Sequence, residues 1–75
     1  MRLPRLTGRE VIRALERLGF QEIRVRGSHH HLTHPSDHSR WATVPVHGSR
    51  VLHPKILQSI LRTTRVTREE FTEQL

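Results

Sequence analysis

Residues 20–34, Phe20-Gln21-Glu22-Ile23-Arg24-Val25-Arg26-Gly27-Ser28-His29-His30-His31-Leu32-Thr33-His34, decide the fold. Ile23 and Val25 alternate with Glu22, Arg24 and Arg26, the period of two expected of a half-buried strand. Gly27-Ser28 supplies a two-residue hairpin turn, so a second strand is expected from His29 to His34. A turn of that length sets Arg26 against His29, Val25 against His30, Arg24 against His31 and Ile23 against Leu32. Ile23 and Leu32 then share one side of the sheet, and a slip of one residue would expose both.

Working outward, Thr7-Gly8-Arg9-Glu10 reads as a capping box that starts a helix at about Gly8. Val11, Ile12, Leu15 and Leu18 form its apolar stripe, and Leu6 is placed to staple onto Val11. Gly19 is suited to a left-handed exit, with Phe20 folding back onto Leu15 in a Schellman ending. On the other side, Pro35-Ser36-Asp37-His38-Ser39 reads as a turn. Arg40 to Val46 then reads as a third strand with Ala42 and Val44 inward, Trp41 and Thr43 outward, and Pro45 at its end. His53-Pro54 opens a second helix ending near Thr63, with Ile56, Leu57, Ile60 and Leu61 buried. Thr67-Arg68-Glu69-Glu70 is a second capping box, heading a short terminal helix with Phe71 and Leu75 on its apolar side. The order α-β-β-β-α-α predicts an α+β domain: an antiparallel meander whose helices cover the face carrying Ile23, Val25, Leu32, Ala42 and Val44.

Composition narrows the function. The 75 residues read as a single domain over 1–75, with room for one core and one site. Thirteen Lys and Arg against seven Asp and Glu give a formal charge of +6, and all the bases but Lys55 are arginine, whose planar fork suits phosphate. A polyanionic partner is the first expectation. With no cysteine, disulfide scaffolds, thiolate zinc sites and thiol nucleophiles are excluded. No apolar run approaches the roughly 20 residues of a membrane span, and Met1 to Leu6 lacks the apolar middle of a signal peptide, so a cytosolic protein with no membrane partner is expected.

On the expected register the uncovered sheet face carries Arg24, Arg26, His29, His31, Trp41 and Thr43. Arginines neutralise phosphate, a tryptophan stacks on a base, and imidazole titrates near neutrality. The plainer readings are solvated arginines and a tryptophan packing a sheet edge. His29 and His31 would chelate a metal only with further ligands, and no cysteine or well-placed carboxylate completes the set, so no metal or other cofactor is expected. His30 and His34 point to the helix side as hydrogen-bonded histidines, His38 sits in a solvated turn, and His53 opens a helix. His29 stands out because it follows the tight Gly27-Ser28 turn. Metal-free RNA cleavage needs a base for the 2'-hydroxyl, an acid for the 5'-oxygen and cations around phosphorus, and a histidine among arginines supplies that inventory.

Four pieces in order, Leu18-Gly19-Phe20, Arg26-Gly27-Ser28-His29-His30, Thr43-Val44-Pro45-Val46-His47 and Ser59-Ile60-Leu61-Arg62, resemble the HicA family of toxin mRNA interferases. The resemblance covers nearly the whole chain. It implies a fold similar to the double-stranded RNA-binding domain (dsRBD), with helices packed on one face of a three-stranded antiparallel sheet. It further implies a type II toxin that cleaves messenger RNA and arrests translation, and a HicB-family antitoxin that blocks its site. The family's catalytic histidine falls on His29, with Gly27 and Ser28 as its supporting turn. Arg24, Arg26, Arg40 and Trp41 are candidates for holding RNA, and His31 or His47 for a second acid or base. The chain departs from the family pattern in its density of histidines, in His53-Pro54-Lys55 and in Trp41.

Two other classes compete. A non-catalytic RNA-binding module of the same fold would have the same charge and would differ in not consuming substrate. A DNA-binding regulator is disfavoured because no helix carries the helix-turn-helix pattern with a basic recognition face.

Overall fold

A computed structural model describes residues 3–75 of the chain; Met1 and Arg2, part of the opening stretch read for a leader, lie outside the described residues. Helix α1 runs Gly8–Arg17, β1 Gln21–Arg26, β2 His29–His34, β3 Asp37–Pro45, α2 Pro54–Thr64 and α3 Arg68–Thr72. The strands form one antiparallel sheet in the order β1-β2-β3. This is the dsRBD-like α-β-β-β-α arrangement with a short helix appended. Among the described residues no helix is long and apolar enough to cross a membrane.

Local chemistry sets the helix boundaries. Thr7 caps α1 by accepting from the Glu10 amide at 3.3 Å, and the Glu10 carboxylate accepts from the Thr7 amide at 2.9 Å. Thr67 and Glu70 repeat the arrangement at α3, at 3.1 and 2.9 Å. Helix α1 closes in a Schellman pattern: the Phe20 amide reaches the Leu15 carbonyl and the Gly19 amide that of Glu16, both at 3.0 Å. Gly19 holds φ +98°, and a Cβ there would lie 2.9 Å from His34 Nε2. His53 caps α2 through Nδ1, which accepts from the Lys55 amide at 3.1 Å.

The two capping carboxylates sit below the ordinary glutamate value of 4.5, chiefly because each accepts a backbone amide. Asp37 is also lowered, first by its hydrogen bonds from Ser39 and then by Arg65. Groups with depressed folded-state values contribute stability above their unfolded values and lose it as pH falls through the folded ones. Melting temperature is therefore expected to hold near neutral pH and to drop on acidification below about 4.5. Glu10→Gln with Glu70→Gln should flatten that acid limb in thermal melts recorded against pH; an unchanged limb would remove the capping boxes from the account.

The core gathers Val11, Ala14 and Leu15 of α1, Leu32 of β2, Ala42 and Val44 of β3, Leu57, Ile60 and Leu61 of α2, and Phe20, Val66 and Phe71. Both helices thus cover one sheet face, as expected. Four sequence expectations are corrected. Ile23 and Val25 are not buried: they are 62% and 48% exposed, and all of β1 is open to solvent. The ladder runs as expected from Arg26↔His29 to Arg24↔His31, but a bulge follows and Glu22, not Ile23, faces Leu32. The second hairpin turn shrinks to Pro35-Ser36, so β3 starts at Asp37 rather than Arg40 and takes in His38. Ile56 and Leu75 are exposed rather than buried, because α2 turns Leu57, Ile60, Leu61 and Thr64 to the core and α3 seals it with Phe71 alone.

Beyond β3 the chain returns to its beginning. Thr7 bridges Val51, and the Leu52 amide donates to the Leu6 carbonyl at 2.7 Å. Gly8 sits so close to β3 that a Cβ on it would lie 2.2 Å from the Pro45 carbonyl oxygen.

Candidate active site

The register stacks residues in rows across the sheet. Arg26, His29 and Pro45 form one row, Arg24, His31 and Thr43 a second, and Gln21, Thr33 and Trp41 a third. Strand side chains alternate between faces, so these rows share the face opposite the helices. Val25, His30 and Val44, and then Glu22, Leu32 and Ala42, form the intervening rows on the helix side. His29 and His31 are thus about 7 Å apart along one strand face, at about 3.4 Å per residue, each with an arginine as its β1 partner.

His29 is exposed and directly follows the turn formed by Gly27, at φ +58°, and Ser28. Glycine adopts that left-handed conformation without the steric penalty other residues meet. The turn is held from the far side, because the Val46 amide donates to the Ser28 carbonyl at 2.7 Å. His31 is half-buried, with Nδ1 3.0 Å from Thr43 Oγ1, a contact that fixes the ring and leaves Nε2 at its outer end.

The other candidates fall elsewhere. Arg40 lies on the helix side: its Nε donates to the Thr64 carbonyl at 2.7 Å and its guanidinium stands 5.3 Å from the Phe20 ring centre. Those contacts hold α2 against the sheet, apart from His29. His47 lies beyond the end of β3, beside a hollow it lines with Pro45, Arg50 and His53. Trp41 is on the open face at the β3 edge, 46% exposed. His30 and His34 are engaged on the helix side as expected: His34 packs edge-on to Phe20 and pairs with Ser36 through Nδ1 at 2.8 Å.

A model of the family described as the HicA toxin of bacterial toxin-antitoxin matches residues 8–66. The chain belongs to the HicA toxin family. No curated protein matches the chain. Membership makes this HicA chain the toxin of a toxin-antitoxin pair, with an antitoxin as its partner. The matched span takes in α1, the whole sheet, α2 and Val66, so the Gly27-Ser28 turn and His29 lie within it, whereas α3 lies beyond it.

Sequence reasoning missed one part of the HicA site region, the Glu22–His30 pair, with Glu22 Oε1 and His30 Nδ1 2.5 Å apart. It exists because the bulge returns Glu22 to the helix face beside the residue next to His29. A strict alternation through β1 places Glu22 on the open face, and nothing in the local composition marks Ile23 as the extra residue. Among the described residues no group of three or more His, Asp or Glu is arranged to hold a metal ion.

Proposed function

We propose that this HicA toxin is a metal-independent endoribonuclease, an mRNA interferase that cuts messenger RNA and so arrests translation, with His29 as general acid or base. The observation that carries the reading is the row Arg26–His29–Pro45 beside the row Arg24–His31–Thr43: an exposed and a half-buried imidazole, each flanked on the β1 side by an arginine, on an uncovered sheet face. In the reaction a base removes the 2'-hydroxyl proton, that oxygen attacks the adjacent phosphorus, and the 5'-oxygen leaves with a proton from an acid. The products are a 2',3'-cyclic phosphate and a 5'-hydroxyl. Arg24 and Arg26 bear on the charge that builds on the phosphoryl oxygens, as preorganised cations do in phosphoryl transfer. Gly27 and Ser28 let the substrate backbone approach His29. His31, oriented by Thr43, fills the second proton-transfer role better than His47, which stands off the rows. Arg40 contributes to RNA binding only through the position of α2.

The antitoxin in this reading is of the HicB family and covers the His29 face. An acidic surface on it would meet the +6 charge of the toxin. Both proteins act in the cytoplasm, where messenger RNA is.

Induction of the wild type and of His29→Ala in a bacterial host tests the reading. Growth arrest with fragmented messenger RNA is expected for the wild type alone. Arrest by both proteins without fragmentation would favour the non-catalytic RNA-binding module, and arrest with fragmentation by both would move the chemistry away from His29.

A further inference from the structure

Thr43 faces two ways. Its hydroxyl meets His31, and its side chain also lines a groove of about 410 Å³ between the edge strand β3 and the flank of α2. Trp41, Ile56 and Ile60 give the groove apolar walls, while Ser59 and Thr63 add hydroxyls and Lys55 a cation at the rim. Trp41 and Ile56 are 46% and 39% exposed, so the two large apolar groups that flank the groove are left open by the fold.

We infer that this groove seats an unpaired nucleobase of a single-stranded RNA, stacked on the Trp41 indole, with Lys55 meeting the adjoining phosphate. The inference rests on the ribonuclease reading and gives it a substrate class. Four features select this occupant. The groove volume falls in the usual range for ligand sites, about 300–1,000 Å³. Its walls offer an aromatic plane and branched aliphatics, which suit a flat π-system. Ser59 Oγ, which accepts from Arg62 at 3.3 Å, keeps its proton to donate to the edge of a base, and Thr63 Oγ1, whose proton goes to the Ile60 carbonyl at 3.3 Å, can accept from one. Finally, the groove continues the face that carries His29, Arg24 and Arg26, where the charge is positive, so a base lying in it keeps its phosphates beside cations. A base within a duplex is stacked on both sides and cannot enter, so the groove selects single strands.

The chain has one tryptophan, so intrinsic fluorescence reports this groove alone. The experiment titrates the intact wild-type protein with a random-sequence pool of single-stranded, 2'-O-methylated oligoribonucleotide, which lacks the attacking hydroxyl. Indole emission is followed together with the anisotropy of a dye on the oligonucleotide. Emission should be quenched in step with binding, and the same sequences annealed into duplex should quench it far less. Trp41→Ala should weaken binding about 5- to 150-fold, the span of one lost base stack, while Trp41→Phe stays within a few-fold of wild type. Lys55→Gln should lower the salt dependence by about 0.7 in log Kd per log salt. Circular dichroism of both Trp41 variants separates lost stacking from lost fold.

Binding with an unchanged indole, or an equal response to duplex, would overturn the inference and leave the nuclease reading standing, the groove then belonging to another occupant such as a partner protein. Absence of oligonucleotide binding in both signals would overturn the inference and the RNA-directed function together.

Discussion

His29→Ala is expected to lower the rate of RNA cleavage by about 100- to 10,000-fold, the usual contribution of one positioned proton-transfer group. Initial rates on labelled RNA with purified protein measure it. The same substitution should leave stability within about 0.5 kcal/mol of wild type, as surface changes away from special features do. His29 is exposed, takes no part in the buried cluster, and sits in the ladder through its backbone, which alanine preserves. A large fall in rate with an unmoved melting curve is the signature of a chemical role. A mutant that cleaves at the wild-type rate would remove His29 from the mechanism, and one that melts early would show that the imidazole also supports the turn.

Gly8→Ala should have the largest effect on stability, and in the direction opposite to the usual one. At an ordinary helical position alanine is favoured over glycine by roughly 0.5–1 kcal/mol. Here a Cβ would lie 2.2 Å from the Pro45 carbonyl oxygen, 3.1 Å from its carbon and 3.0 Å from Val46 Cγ2. The nearest obstacle is backbone, so α1 and the end of β3 must part. Overpacking of this kind costs about 1–3 kcal/mol, which in a domain of this size lowers Tm by about 5–20 °C. Pro45 is the β3 partner of His29, so the displacement reaches the site. A shift on the order of 1 Å at a catalytic group costs about 100-fold in rate. Calorimetry and cleavage assays on Gly8→Ala should therefore fall together, in contrast to His29→Ala. A variant as stable as wild type would mean that the contact between α1 and β3 relaxes freely.

Much of this was legible in the sequence because local chemistry specified it. The two Thr-x-x-Glu boxes, the Gly19-Phe20 exit and the Gly27-Ser28 turn each fix a boundary through bonds made within a few residues. The turn in turn fixed the pairing of Arg26, Val25 and Arg24, and so brought His29, His31 and both arginines to one face. What escaped depends on partners distant in sequence. Alternation in β1 marks a strand, yet whether Ile23 and Val25 are buried depends on how far α1 extends over the sheet, and it stops short of β1. The bulge at Ile23 leaves no trace in composition, so the Glu22–His30 pair could not be foreseen. Asp37-His38-Ser39 reads as a turn because its residues are polar, but the edge of β3 is solvated there and accepts polar residues. Arg40 has the charge of an RNA contact, while its geometry serves the Thr64 carbonyl at the end of α2. The open Trp41–Ile56 groove arises only where two separately formed elements meet.

The tie between Leu6–Thr7 and Val51–Leu52, and the seating of Gly8 on Pro45, bear on the order in which the molecule assembles. Both hairpins join neighbouring strands and close short loops, which is fast and entropically cheap. Docking α1 on the end of β3 closes a much longer loop and belongs late in folding. On the ribosome, the strand bearing His29 pairs with β1 while β3 is still being made. Its other neighbour, Pro45, meets Gly8 of α1 only once β3 is complete, and the tie to Leu6 and Thr7 waits further for residues 51 and 52. The arginine–histidine face is thus completed near the close of synthesis, when the chain's first helix and the end of its third strand can finally meet.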